Sequence, residues 1–182
     1  MFTDKRSKKV ILVAHCVLNQ NAKINACAYY PGVIREAVKV LLDADVGLVQ
    51  LPCPEFLYLG LDREIVPGSK TTIESEDSRV AQRMNEEKSR ELCRYIIDNI
   101  VYQVNEYRKH DLKIVGLVGI NCSPTCGVET TWSEDKEHPG QGIFIKMLSD
   151  KLAEKHISIK MVGIKAREPS RAVAAINEML YN

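Results

Sequence analysis

Four short, mostly apolar runs constrain the fold of this chain more than any other feature. They occupy residues 9–14, 47–51, 113–118 and 158–164. Runs that are apolar without strict alternation indicate strands covered on both faces, which is typical of a parallel sheet. Segments with helical periodicity separate the runs, so the pattern predicts successive βαβ units.

The helical segments have recognisable limits. Pro31 and Gly32 are expected to open the first helix, whose apolar face has the spacing Ile34, Val38, Leu41 and Leu42. A second helical pattern covers residues 76–109. The two prolines around Cys53 are expected to stop regular structure, and residues 130–139 are expected to form a polar loop.

We therefore predict a single α/β domain over residues 1–182, a three-layer α/β/α, Rossmann-like sandwich with a mostly parallel sheet of about four strands. A chain of 182 residues with 45% hydrophobic residues can bury the core of one such domain. Residues 54–75 combine glycine, proline and scattered charges. This composition predicts a long loop that covers the sheet edge as a lid.

The charge balance gives no case for a large anionic partner. Lys and Arg number 25 against 24 Asp and Glu, which leaves a net charge of +1. We expect neither nucleic acid nor an anionic membrane to be bound through the overall charge. No stretch approaches a membrane span in length, and the apolar run at 10–14 is too short for a signal peptide. We expect a cytoplasmic protein, and the sequence leaves its oligomeric state open.

Three of the six cysteines follow different predicted strands. Cys16 follows the first run, Cys53 the second, and either Cys122 or Cys126 the third. The carboxyl ends of parallel strands share one edge of the sheet, where α/β folds bind ligands, so these thiols are expected to meet there. Clustered thiols in a reducing compartment indicate metal or redox chemistry, and thiolates select zinc, copper(I) or iron–sulfur centres. The alternative, that each is a small buried hydrophobe, suits one such cysteine better than three.

The segments around these cysteines resemble the motifs of the thiouracil desulfurase (desulfidase) family. They read Leu51-Pro52-Cys53-Pro54-Glu55 and Cys122-Ser123-Pro124-Thr125-Cys126-Gly127, with Cys16 earlier and Gly140-Gln141-Gly142 later. The resemblance implies a [4Fe–4S] cluster held by Cys16, Cys53 and Cys126. In that family the fourth iron is free to take the sulfur of a small thiolated heterocycle such as 2-thiouracil.

The resemblance also implies two catalytic residues, Glu55 and Ser123. A carboxylate two residues beyond a ligand is suited to take a proton from attacking water. A solvated loop carboxylate is the alternative for Glu55. Capping of backbone amides is the alternative for Ser123, since serine often binds the N–H groups at a helix start.

The chain departs from the family pattern at several positions. Residues 56–60 stand where the family carries a glycine pair, and Thr125 stands where a serine is usual. Cys122 is an additional thiol, which we interpret as a bystander; as a fourth ligand it would close the open iron. Cys27 and Cys93 are assigned to packing or the surface. These differences indicate a divergent branch of the family.

Two other functions stay open at this point. One is a non-catalytic module in which four cysteines bind zinc or a closed cluster for structure or redox sensing. The other is a metal-free sulfur carrier or transferase that uses Cys122 or Cys126 as a nucleophile.

Overall fold

The structure is a computed structural model that describes residues 4–24, 27–66, 68 and 70–181. Its strands are β1 (Lys9–Ala14), β2 (Gly47–Leu51), β3 (Lys113–Ile120), β4 (Thr130–Ser133), β5 (Lys136–Pro139) and β6 (Met161–Ile164). Its helices are α1 (His15–Leu18), α2 (Arg35–Asp43), α3 (Pro54–Leu59), α4 (Ile73–Met84), α5 (Glu87–Lys109), α6 (Ile143–Glu154) and α7 (Pro169–Tyr181), with a 3-10 turn at Gln20–Ala22.

The four predicted strands form one sheet in the order β2-β1-β3-β6, and every pair in it is parallel. Successive side chains of β1 point to opposite faces of this sheet. Leu12 packs with the core shared by α5 and α6, whereas Ile11 and Val13 pack with the core shared by α2 and α7. Helices therefore cover both faces, and the predicted three-layer α/β/α fold is confirmed.

Several predicted boundaries were wrong for local reasons. The first long helix begins at Arg35 rather than at the Pro31-Gly32 pair, and the helical pattern over 76–109 is two helices, α4 and α5. The predicted polar loop over 130–139 contains the antiparallel hairpin β4–β5. Glu134 and Asp135 at its turn have φ of 51° and 58°. Two successive positive φ values suit a tight hairpin turn, but this residue pair is not the usual Asn-Gly signal.

The segment after β2 also differs from the prediction. We expected the prolines around Cys53 to stop regular structure, yet α3 begins directly at Pro54. Proline is well suited to the first helical position because its missing N–H is not needed there. The remainder, up to Thr72, has no regular element among its described residues, and residues 67 and 69 lie outside them. Its function as a lid stays a prediction.

The Thr72 side chain begins α4 by accepting from Ser75 N in a capping box. None of the helices in the described ranges is long and apolar enough to cross a membrane.

Adjacent leucines in α2 provide a test of the packing. Leu41 is fully buried, but Leu42 is 60% exposed, although periodicity had placed both on the apolar face. We expect Leu41→Ala to lower the free energy of unfolding by about 2–5 kcal/mol, because it leaves a cavity in the core. Leu42→Ala is the matched control and should change it by less than about 0.5 kcal/mol. Urea denaturation measures both, and equal effects would contradict this packing of α2.

Candidate active site

The structure places Cys16, Cys53 and Cys126 at one edge of the sheet. Cys16 lies in α1 directly after β1, Cys53 follows β2, and Cys126 lies in the loop that follows β3. These strands are neighbours in the sheet and run parallel, so their carboxyl ends share that edge. The expected convergence follows from topology, because these residues are far apart in the sequence.

The pKa values of the three thiols depend on one another. Burial raises the pKa of Cys53 to about 12, and the charges of Glu55 and Cys16 add to that effect. The pKa of Cys126 lies well above its usual range, first because of burial and then because of the charges of Cys53 and Cys16. Burial likewise raises the pKa of Cys16. Without a cation, these cysteines are therefore neutral thiols near pH 7.

Two buried polar atoms beside these cysteines lack a hydrogen-bond partner within the described ranges. They are Nε2 of His15, next to Cys16, and Oγ1 of Thr125, next to Cys126. Such orphaned atoms are rare and call for an explanation, which a bound group with hydrogen-bonding atoms provides. Across the described part of the chain, no group of three or more His, Cys, Asp or Glu side chains is arranged to hold a single metal ion.

The loop that carries Cys126 is fixed by its own side chains. The Asn121 side-chain oxygen accepts from the backbone N–H of Val128, Glu129 and Thr130 at 3.3, 3.1 and 3.3 Å. Ser123 Oγ accepts from Thr125 N at 3.2 Å and from Cys126 N at 2.9 Å. The serine oxygen thus binds backbone amides, as the capping alternative requires, and the catalytic role of Ser123 stays a prediction.

Helix α6 approaches the same loop without an intervening side chain. A Cβ atom on Gly142 would lie 2.5 Å from the Thr125 carbonyl carbon and 2.9 Å from Cys126 N. Ile143 N and Phe144 N donate to the carbonyl oxygens of Pro124 and Thr125 at 3.0 and 3.1 Å. Only glycine permits this contact at residue 142, so the start of α6 helps to fix the backbone of Cys126.

Cys53 and Glu55 share the beginning of α3. Cys53 Sγ accepts from Phe56 N at 3.5 Å and so caps the helix of which Glu55 forms the first turn. Arg63 Nε donates to Glu55 Oε2 at 3.3 Å, and the two side chains are 2% and 15% exposed. Glu55 is therefore not the solvated carboxylate of the alternative interpretation. Sequence reasoning missed Arg63, because it lies beyond the end of α3 in a segment without regular secondary structure, where no periodicity indicates which residues meet.

Helix α4 is attached to both sides of this region. On one side, Arg79 Nη2 donates to the Arg63 carbonyl oxygen at 2.5 Å while pairing with the buried Glu76. On the other side, Trp132 Nε1 and Asp135 N donate to Ser78 Oγ at 3.1 and 3.0 Å. The helix therefore connects the Arg63 segment to the hairpin β4–β5.

Asp77 is a second carboxyl group that sequence reasoning missed. Burial raises its pKa to about 7, the charge of Glu55 adds to the shift, and Lys23 opposes it. Glu74 and Glu76 also raise it. Asp77 is only partly buried.

The remaining cysteines are Cys27, Cys93 and Cys122. Cys122 has a left-handed φ of 69°, and its N–H donates to Thr130 O and to Thr130 Oγ1, both at 3.1 Å. Cys93 is fully buried in α5. Cys27 is partly buried, and the charges of Asp77 and Glu55 raise its pKa after the larger effect of burial. Their assignment as bystanders stays a prediction.

Comparison with known proteins identifies the family. A sequence model described as 2-thiouracil desulfurase matches residues 11–160 of this chain. The chain belongs to the 2-thiouracil desulfurase family. The resemblance carried by the motifs around Cys53 and Cys126 is thereby confirmed.

The chain is also 33% identical over 123 residues to the uncharacterized protein MJ0003 of Methanocaldococcus jannaschii. The alignment covers 68% of this chain and 70% of that protein. An uncharacterized relative is consistent with a divergent branch of the 2-thiouracil desulfurase family. No solved structure matches the chain.

Gly142 gives a test of how tightly the Cys126 loop is held. Gly142→Ala should lower the free energy of unfolding by about 1–3 kcal/mol, because the new methyl group clashes with the Thr125 and Cys126 backbone. Gly32→Ala is the matched control, since a Cβ there meets nothing within 4 Å. Urea denaturation measures the free energy of unfolding of both variants. An unchanged value for Gly142→Ala would show that the Cys126 loop moves to accommodate the methyl group.

Asp77 predicts a specific pH dependence of stability. Between the unfolded pKa of 3.8 and the folded pKa of about 7, the folded protein binds a proton that the unfolded chain releases. The contribution of Asp77 to stability is therefore present below about pH 4 and is lost as the pH rises to 7. Asp77→Asn removes the fall in stability that the ionisation of Asp77 causes as the pH rises. Because Asp77 keeps some contact with solvent, we expect the variant to gain only about 1–2 kcal/mol relative to the parent between pH 4 and pH 8.

Urea denaturation of the metal-free proteins at the two pH values measures this gain. A stability difference between variant and parent that is the same at pH 4 and pH 8 would refute the raised pKa of Asp77.

Proposed function

We propose that this protein is an iron–sulfur-dependent desulfidase that removes sulfur from a small thiolated heterocycle similar to 2-thiouracil. The observation that carries the proposal is the position of Cys16, Cys53 and Cys126 at the ends of three adjacent parallel strands. Membership of the 2-thiouracil desulfurase family supports both the reaction and a small-molecule substrate.

Cys16, Cys53 and Cys126 are the residues that would hold a [4Fe–4S] cluster. Their donor chemistry fits, since three thiolates are the soft ligands that iron–sulfur clusters take. The orphaned His15 Nε2 and Thr125 Oγ1 also fit, because cluster sulfides accept hydrogen bonds. Ligands of a cluster bind different irons and stand farther apart than ligands of one ion. The lack of a compact single-ion group among the described residues is therefore compatible with this assignment.

When bound, such a cluster supplies a Lewis-acidic iron with an open coordination position for the sulfur of the substrate. The overall reaction is a hydrolysis: a C=S group and water give C=O and hydrogen sulfide, without net oxidation or reduction. The carbon therefore needs an activated water molecule, and a group of the protein has to take its proton.

Glu55 is the proposed base. The ion pair with Arg63 engages Oε2, so Oε1 is not part of that contact. Its place in the first turn of α3, two residues beyond Cys53, keeps the carboxylate close to a proposed cluster ligand. Glu55 would take one proton from water as the oxygen bonds to carbon, and would release it when the sulfur leaves as hydrosulfide.

Ser123 is the proposed orienting residue. Its oxygen already accepts from two backbone N–H groups, which leaves the hydroxyl hydrogen to donate to substrate or water. Ser123→Ala would also remove a cap from the Cys126 loop, so its effect on activity combines both roles.

Anaerobic reconstitution of alanine variants tests the ligand assignment. Cys16→Ala, Cys53→Ala and Cys126→Ala should each lose the cluster, because each removes one of three ligands. Cys27→Ala, Cys93→Ala and Cys122→Ala are the controls and should keep the iron content and visible absorbance of the parent. Loss of the cluster in Cys122→Ala with retention in Cys126→Ala would show that the wrong thiol has been assigned.

Glu55→Gln tests the base in the same reconstituted samples. The amide keeps the shape of the side chain but takes up no proton, so sulfide release should fall by about two to four orders of magnitude at unchanged iron content. Glu64→Gln is the control, because this carboxylate pairs with Arg83 on the outer side of the same segment. Sulfide is measured over a panel of thiolated pyrimidines and nucleosides.

Two results would replace the proposal. Parental turnover by Glu55→Gln would place the base elsewhere. A fully reconstituted parent that releases no sulfide from any substrate would favour the non-catalytic, closed-cluster module.

A further inference from the structure

Arg63 is the most deeply buried charged side chain described in this protein, at 2% exposure. A guanidinium carries five N–H donors in a fixed plane, and burial requires that each finds an acceptor. Nε donates to Glu55 Oε2 at 3.3 Å, and Nη1 donates to the carbonyl oxygens of Gly60 and Leu61 at 2.7 and 3.1 Å. Nη2 donates to Ala22 O at 2.8 Å and to Cys53 Sγ at 3.8 Å. Five donors therefore meet five acceptors.

These acceptors belong to separate segments of the chain. Ala22 ends the 3-10 turn that follows Cys16 and α1, Cys53 and Glu55 form the beginning of α3, and Gly60 and Leu61 follow its end. One side chain thus joins the segments after β1 and β2. Its positive charge also lowers the pKa values of Cys16 and Cys53, against the larger opposing effect of burial.

The backbone of Arg63 shows that its position is enforced by the surroundings. Arg63 and Glu64 have φ of 56° and 59°, a left-handed conformation that costs energy for residues other than glycine. Arg79 holds this turn by donating to the Arg63 carbonyl oxygen. The surrounding structure therefore holds Arg63 in place despite a strained main chain, and its guanidinium is both buried and fully paired, unlike that of a surface ion pair.

We propose that Arg63 is the positioning residue of this site, orienting the Glu55 carboxylate and the Cys53 sulfur as one unit. The ion pair fixes Oε2 of Glu55, and the contact with Cys53 Sγ fixes the neighbouring thiol. Lysine cannot replace it, because one ammonium group does not span acceptors on both sides of the planar guanidinium. The catalytic consequence rests on the proposed desulfidase function, but the coupling between Arg63 and Glu55 does not.

The first experiment uses the metal-free protein and needs no activity. Urea unfolding is measured for the parent, Arg63→Met, Glu55→Gln and the double variant. If Arg63 holds Glu55, the double variant should be less destabilised than the sum of the single changes, because the ion pair is lost only once. Additive changes would overturn the proposal. Should Arg63→Met fail to fold, Arg63→Lys and Arg63→Gln replace it in the same cycle.

The second experiment uses the reconstituted protein. Arg63→Lys should bind iron as the parent does, yet kcat should fall by about a hundredfold with KM changed only a few-fold, because misplacing the base affects the reaction more than binding. Arg63→Gln should also lower the reduction potential of the cluster, since it removes a positive charge beside the Cys53 ligand. If the role of Arg63 were purely structural, these substitutions would not lower kcat at a nearly constant KM, and they would not change the reduction potential of the cluster.

Arg83→Gln is the matched control. Arg83 pairs with Glu64 of the same turn, but it is partly exposed and is not among the charges that shift the pKa values of Cys16 and Cys53, so its loss should leave kcat and the potential unchanged. Parental kcat and potential in the Arg63 variants would overturn the positioning role. If the parent itself releases no sulfide, the proposed function fails, and the unfolding cycle still decides whether Arg63 holds Glu55.

Discussion

The parallel pairing of β2, β1 and β3 is the constraint on which the site depends. Parallel strands require crossover connections, so the chain returns to the same end of the sheet before each new strand. Residues that immediately follow the three strands are therefore brought together whatever their separation in sequence. Cys16 and Cys53 occupy such positions and Cys126 lies in the loop that follows β3, and the scaffold beneath them is a covered sheet with a hydrophobic core on each face.

The burial and charges around Cys16, Cys53 and Cys126 determine how a metal centre would bind to them. Burial raises the pKa values of all three thiols and keeps them neutral in the absence of a cation, and for Cys53 and Cys126 the charges of neighbouring thiols add to this effect. A metal centre reverses this preference, so its binding has to release protons. Arg63 and Lys23 are the positive charges that act on this region, and only Arg63 is buried within it.

The sequence contained the fold but only part of the site. Continuous apolar runs define buried parallel strands, and the residues at their ends follow from topology. The helical start at Pro54 and the hairpin turn at Glu134 were missed, because local rules for proline and for turn pairs allow more than one outcome. The role of Arg63 could not be predicted from the sequence for another reason. A buried arginine is recognised by acceptors that come together only in the folded chain, here Ala22 O and Cys53 Sγ among others.

The attachment of α4 to both the Arg63 segment and the hairpin β4–β5 has a mechanical consequence. Its bond to the Arg63 carbonyl oxygen and its bonds to the hairpin β4–β5 connect these two segments through one helix. Arg63 in turn contacts Glu55 and Cys53. A displacement of α4 relative to the hairpin is therefore transmitted through the Arg63 turn, so the position of the hairpin and the alignment of the Glu55 carboxylate with the Cys53 sulfur are coupled.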